Sequence, residues 1–195
     1  MSAAPGGAAR LDELVAGLIE AAAAQGLRIA VAESLTGGRL ADALVSVPGA
    51  SRVFSGGIVA YDTALKESLL GVDPDLLRER GPVDEQVARQ MAAGVRAVCA
   101  VPRAPGGAPV PADIGLSTTG VAGPDPDPQT GLPAGVVWVG VSSGRGTTAI
   151  RLDLGERRPA DAHGSARPDR AAIRAAAVAA AIGLLGDAVA PSSRP

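Results

Sequence analysis

Three residues of this chain have types and spacing suited to chemistry: Ser34, Tyr61 and Lys66. Ser34 lies in Ala32-Glu33-Ser34-Leu35-Thr36-Gly37-Gly38, directly after the short apolar run Leu27–Ala32. An apolar run giving way to hydroxyls and paired glycines reads as a buried strand followed by a helix. In open α/β sheets, ligands bind at that carboxyl end of a strand. The free N–H groups at the helix start, around Thr36, Gly37 and Gly38, suit a phosphate or a developing oxyanion, and the glycines admit a ligand close to the backbone. Ser34 would present its hydroxyl at the mouth of such a site. The plainer alternative makes Ser34 or Thr36 a helix N-cap, with the glycines serving a tight turn.

Composition singles out the other two. Of the 18 basic residues only Lys66 is Lys, Tyr61 is the only Tyr, and Asn is absent, a bias that GC-rich coding explains. Under that bias a surface Lys drifts to Arg at little cost, so a retained Lys is either a chance survivor or one that Arg cannot replace. The chemical difference is that a desolvated Lys can lose its proton and Arg cannot. A Ser–Lys pair is therefore the nucleophile and base to consider, because the only His, His163, stands in the charged, irregular stretch 155–168. The Tyr-x4-Lys spacing is one residue longer than the Tyr-x3-Lys of short-chain dehydrogenases. The dinucleotide glycine fingerprint is also missing after the first strand, which argues against a reductase.

Two further segments have suitable groups. Ser117–Pro124 (STTGVAGP) is another strand exit with hydroxyls and glycines, able to hold a phosphate or an amide oxygen. Asp169 and Arg170 open the last helix; Arg170 can grip a phosphate, or with Arg174 form a solvated stripe. Three glycine- and hydroxyl-rich strand exits in one α/β domain imply a polar pocket.

The elements that must position these groups follow from periodicity. A tail over 1–9 precedes a helix from Leu11 to near Gly26, with Leu11, Leu14, Val15, Leu18 and Ile19 at helical spacing. Strands are expected at 27–32, 53–61 and 114–119, and at 136–143 and 147–154 as a hairpin. Helices are expected at 39–46, from the Asp62 cap to Leu70 with Leu65 and Leu69 inward, and from Asp73-Pro74 to Gly81. A longer one after Asp84 turns Val87, Met91, Val95 and Val98 inward, and another runs from Asp169 to Leu185. Residues 102–111 read as a Pro/Gly loop. The whole is expected to be one α/β domain, a three-layer α/β/α sandwich over 10–189 with a mixed sheet of five to six strands and loose tails at 1–9 and 190–195.

Composition also bounds the partners. With 40 Ala and 2% aromatics, the core must be Leu, Val, Ile and Ala. A net charge of -2, with no basic block, argues against nucleic acid. One Cys and one His give little for a disulfide framework or a metal site. The N-terminus lacks a signal-peptide pattern, and the apolar stretch Ala175–Leu185 is too short to span a bilayer. A cytoplasmic protein with no membrane partner and no cofactor is expected, and a homo-oligomer stays open.

The motifs AESLTGG, VPGASRVFSGGIVAYDTALK, GPVDEQVARQMA and STTGVAGP resemble, in the same order, the C-terminal domain family of the competence/damage-inducible protein CinA. The likeness spans about Leu11 to Leu185. Members of that family are nicotinamide-nucleotide amidohydrolases, which deamidate nicotinamide mononucleotide. Larger members carry a further N-terminal domain resembling molybdopterin-binding proteins, so this chain is expected to be the stand-alone form. The resemblance implies a small-molecule nucleotide substrate, Ser34 as nucleophile, and Lys66 and Tyr61 as its activating partners. It also implies substrate contacts at Thr119, Gly120 and a phosphate-binding Arg170. The family's Gly-Asp-Arg reads Pro168-Asp169-Arg170 here, and Gly155-Glu156-Arg157 competes for that alignment. After Pro124, Asp125, Asp127 and prolines replace the family's paired glycines. The altered loop motivates the alternative of a non-catalytic nucleotide-binding or regulatory protein that keeps the pocket.

Overall fold

In the computed structural model, residues 5–155 and 169–191 are described, with side chains from residue 9 onward. The elements, in chain order, are α1 (Pro5–Ala24), β1 (Ile29–Glu33), α2 (Arg39–Val45), β2 (Phe54–Val59), α3 (Thr63–Ser68), α4 (Pro74–Arg80), α5 (Glu85–Val98), β3 (Val101–Pro102), β4 (Pro109–Val110), β5 (Ile114–Gly120), β6 (Val136–Ser143), β7 (Gly146–Asp153) and α6 (Arg170–Val189). The five long strands form one sheet in the order β2-β1-β5-β6-β7. β1 runs parallel to β2 and β5, and β5, β6 and β7 are antiparallel, so the sheet is mixed.

β1 is buried along its whole length because both faces are covered. Its side chains alternate. Ile29 and Val31 enter a cluster with Val15 and Ile19 of α1, Leu40 and Leu44 of α2, and Ile182 and Leu185 of α6. Ala30 and Ala32 enter a second cluster with Leu70, Leu77, Val87, Met91 and Val95. Burying each of the larger side chains contributes about 1.5–3 kcal/mol. α1, α2 and α6 thus cover one face, and α5 with the α3–α4 region covers the other. This is the expected α/β/α sandwich.

The chain leaves β1 for β2 on one side and returns past β1 to β5 on the other. β1 is therefore the point where strand order reverses, and a crevice opens at its carboxyl end. Ser34 follows β1, Tyr61 follows β2, and Thr119 and Gly120 end β5.

Several boundaries differ from expectation. α1 starts at Pro5, so helix occupies much of the expected 1–9 tail; Pro is tolerated in a first turn and alanines extend it. The 102–111 loop contains a short antiparallel pair, Val101↔Val110 and Pro102↔Pro109. α3 ends at Ser68 and turns Lys66 and the following Leu70 inward, leaving Leu69 44% exposed. Val98 is 45% exposed at the last residue of α5, where the packed face has run out. α6 continues to Val189 and, at 20 residues, is long and apolar enough to cross a membrane. Here Ala177, Ala181, Ile182, Leu185 and Val189 are instead buried in the core against the sheet and α1.

Candidate active site

The Ser34 turn is held at both of its sheet neighbours. Ser34 N–H donates to Thr118 O at 2.9 Å, and Ala60 N–H donates to Glu33 O at 2.8 Å. Opposite, Asp62 caps α3 by accepting from Ala64 N–H at 2.8 Å. The capped helix aims Lys66 back at β1: Nζ donates to Ala60 O at 2.8 Å and lies 3.2 Å from Ser34 Oγ. Lys66 is 1% exposed. Burial lowers its pKa to about 8, while attraction to Asp62 opposes that shift. A buried lysine with a lowered pKa next to a serine hydroxyl is an arrangement that can serve as general base and nucleophile.

Ser34 and Lys66 face a cavity of 370 Å³, within the size range of small-molecule sites. Its other walls come from Leu35, from Tyr61 and Thr63, from Pro82 and Val83, from Thr119, Gly120 and Ala122, from Asp127 and Pro128, and from Arg170. Asp127 and Pro128 belong to the departing loop, and Asp127 Oδ2 accepts from the N–H and the hydroxyl of Thr130 at 2.8 and 2.6 Å. Thr119 Oγ1 donates to Pro82 O at 2.6 Å, so toward a ligand it can only accept. Gly120 is required by close packing, since a Cβ there would lie 2.8 Å from Val136 O and from Val137 Cα.

Tyr61 reaches the cavity, but its Oη accepts from Arg170 Nη2 at 2.8 Å rather than meeting Ser34 or Lys66. Arg170 also donates to Gly123 O. Tyr61, expected to activate Ser34, instead anchors the arginine at the cavity rim. Arg157 and His163 lie outside the described residues.

Of the expected contacts at Thr36, Gly37 and Gly38, the two glycine amides are already engaged, one of them by a residue whose role was not foreseen. Glu33 is 0% exposed, and its carboxylate accepts from Gly38 N–H at 3.0 Å, Leu40 N–H at 3.0 Å and Ala41 N–H at 2.8 Å. Of the three amides offered above to a ligand anion, the chain's own carboxylate thus takes that of Gly38, together with two in the first turn of α2. Gly37 N–H donates to Ser34 O at 3.1 Å, and Thr36 Oγ1 pairs with Thr118 Oγ1 at 2.7 Å in the interior. Gly37 and Gly38 are needed for their positive φ, 57° and 94°. Among the described residues, no acceptor meets the amides of Leu35 and Thr36. No three His, Cys, Asp or Glu side chains converge on a metal site among those residues.

The family model of the CinA C-terminal domain matches residues 11–189. The chain belongs to the CinA C-terminal domain family. A CinA-like protein of Frankia casuarinae is 44% identical over 149 residues, covering 76% of this chain and 31% of that protein. A CinA-like protein of Anaeromyxobacter sp. strain Fw109-5 is 43% identical over 147 residues, covering 75% and 33%. The chain spans about a third of the length of the curated CinA relatives it matches. Among solved structures, the competence/damage inducible protein CihA from Agrobacterium tumefaciens has a TM-score of 0.76 at 29% identity, covering 96% of this chain and 99% of that one. A CinA superfamily protein from Enterobacter cloacae has a TM-score of 0.76 at 27% identity, covering 92% of each chain.

Proposed function

We propose that this CinA-family domain is a cytoplasmic amidohydrolase that converts nicotinamide mononucleotide to nicotinate mononucleotide and ammonia. The observation that carries the proposal is Lys66 Nζ, buried and 3.2 Å from Ser34 Oγ, at the floor of a cavity with a guanidinium at its rim.

Neutral Lys66 donates one N–H to Ala60 O, which leaves its lone pair free to take the Ser34 proton. Ser34 Oγ then bonds to the carboxamide carbon. The C–N bond breaks as Lys66 returns that proton to the departing ammonia. Water, deprotonated by Lys66, hydrolyses the acyl-enzyme and frees Ser34. This is serine–base catalysis with Lys in the place of His. The unclaimed amides of Leu35 and Thr36 are the oxyanion donors in this scheme, in place of Gly37 and Gly38. Thr119 Oγ1, able only to accept, suits the carboxamide N–H, and Arg170 takes the phosphate.

A non-catalytic nucleotide-binding role would leave the buried lysine without purpose, since burying an ammonium without a carboxylate contact costs stability. The test is ammonia release from nicotinamide mononucleotide. Wild type is expected to turn over and folded Ser34→Ala to be inactive. Turnover by Ser34→Ala at the wild-type rate removes Ser34 from the mechanism.

A further inference from the structure

α6 presents a second arginine one turn after Arg170, and it does not reach for solvent. Arg174 is half-buried; its Nε donates to Leu35 O at 2.9 Å and its Nη2 to Thr36 O at 2.7 Å. No described carboxylate forms an ion pair with it. A planar fork spanning two consecutive carbonyls fixes the orientation of both peptide planes. Each plane is trans, the one cis bond among the described residues being Gly123-Pro124, so each amide N–H points away from its own carbonyl. The consequence can be followed bond by bond. Arg174 holds Thr36 C=O, the same peptide's Gly37 N–H is turned away from it, and that N–H donates to Ser34 O at 3.1 Å. In the same way, holding Leu35 C=O turns the unclaimed Thr36 N–H away from Arg174. From the strand side, Glu33 grips Gly38, Leu40 and Ala41, so the turn is held at both ends.

We propose that Arg174 is a positioning residue of the amidase: through the carbonyls of Leu35 and Thr36 it sets the backbone of the nucleophile turn, and so keeps Ser34 Oγ in reach of Lys66. The inference rests on Ser34 acting as nucleophile, as proposed above. It is distinct from phosphate binding, because the guanidinium is spent on the turn and Arg174 does not line the cavity.

The experiment compares Arg174→Ala, Arg174→Lys and a control, Arg145→Ala. Arg145 also grips two carbonyls, Asp187 O and Ala190 O, but at the far end of α6. Steady-state ammonia release is measured with nicotinamide mononucleotide, and Ser34 labelling by an alkyl fluorophosphonate is timed in parallel. Arg174→Ala is expected to lose on the order of 100-fold in kcat, the scale of a misplacement near 1 Å. Its KM should stay within about threefold, because binding energy is not what is lost. Labelling should slow in parallel, and added methylguanidinium should restore part of both rates. Lys, a point donor, should recover less than about a tenth of the loss because it cannot span two carbonyls. Arg145→Ala should keep the wild-type rates. Should Arg174→Ala not fold, Arg174→Lys decides by the same measures. A kcat within about twofold of wild type, a loss carried by KM, or an equal loss in Arg145→Ala would overturn the proposal. Wild type that labels but releases no ammonia overturns the substrate assignment, while the labelling rates still judge Arg174. Wild type that does neither overturns both.

Discussion

At the scale of single residues, Lys66 links composition, structure and chemistry. It was legible in the sequence because it is the only lysine among 18 basic residues. Ser34 was legible because hydroxyls and glycines at a strand exit are informative. Glu33 and Arg174 were not legible, because their partners are backbone groups, which carry no sequence signature. The depressed pKa of Lys66 makes two linked predictions. Activity should rise with pH along an acid limb centred near 8, with about a tenth of Lys66 neutral at pH 7. Arg in its place cannot deprotonate, so Lys66→Arg should lose at least ~100-fold in kcat. For stability, the folded pKa of about 8 lies below the unfolded value near 10.4, so the unfolded chain binds more protons between them. Stability should therefore rise with pH across that window. Below it, the buried ammonium costs on the order of 3 kcal/mol. Lys66→Met should be more stable than wild type at pH 7, and its advantage should shrink between pH 8 and 10.4. Urea titrations at both ends of the window check this; an unchanged difference between the two proteins would mean that Lys66 does not titrate there.

At the scale of elements, the strand exits and helix caps were readable: Asp62, Asp73, Asp84 and Asp169 each accept an N–H from the first turn they precede. What misled was helix phase. Leu65 and Leu69 were expected inward; Leu65 packs partly buried against the second cluster, but Leu69 is exposed, and the fully buried positions are Lys66 in α3 and Leu70 just after it. Period rules assign Lys to solvent, and they fail at Lys66, which lies buried beside Ser34. The start of α2 failed for a related reason, since a helix start open to a ligand and one closed by a neighbouring carboxylate look alike in sequence. Glu33→Gln separates those two uses. The amide keeps one acceptor oxygen but turns an N–H₂ toward backbone donors that three hydrogen bonds now satisfy. Leaving buried donors unmet costs about 1–3 kcal/mol each. A loss of at least ~2 kcal/mol is expected from Glu33→Gln by thermal unfolding. An unaltered Tm would mean that the carboxylate does not hold the turn.

At the scale of the whole molecule, the site depends on how closely α5 lies between the sheet and the segment that follows Lys66. Glycine makes both approaches. A Cβ at Gly115 of β5 would sit 2.0 Å from Ala92 O, and one at Gly140 of β6 2.6 Å from Ala88 O. On the opposite side of α5, a Cβ at Gly94 would sit 1.9 Å from Leu70 O, backbone that cannot swing aside as a side chain can. Leu70 lies within the turn that Val72 N–H closes onto Lys66 O at 3.0 Å, so displacing it moves Lys66. Helix propensity and packing therefore predict opposite signs. Within a helix, Gly→Ala gains about 1 kcal/mol. Gly183 of α6 has nothing within 4 Å of a Cβ, and Gly183→Ala should show that gain, leaving kcat unchanged. Gly94→Ala should instead lose about 1–3 kcal/mol to overpacking, and kcat should fall with it as Lys66 Nζ is carried away from Ser34 Oγ. Both are read from urea unfolding and ammonia release on the two variants. Equal stabilisation in both would show that α5 and the Lys66 segment are not in contact as described. A destabilised Gly94→Ala with full kcat would show that the dyad geometry does not depend on this packing.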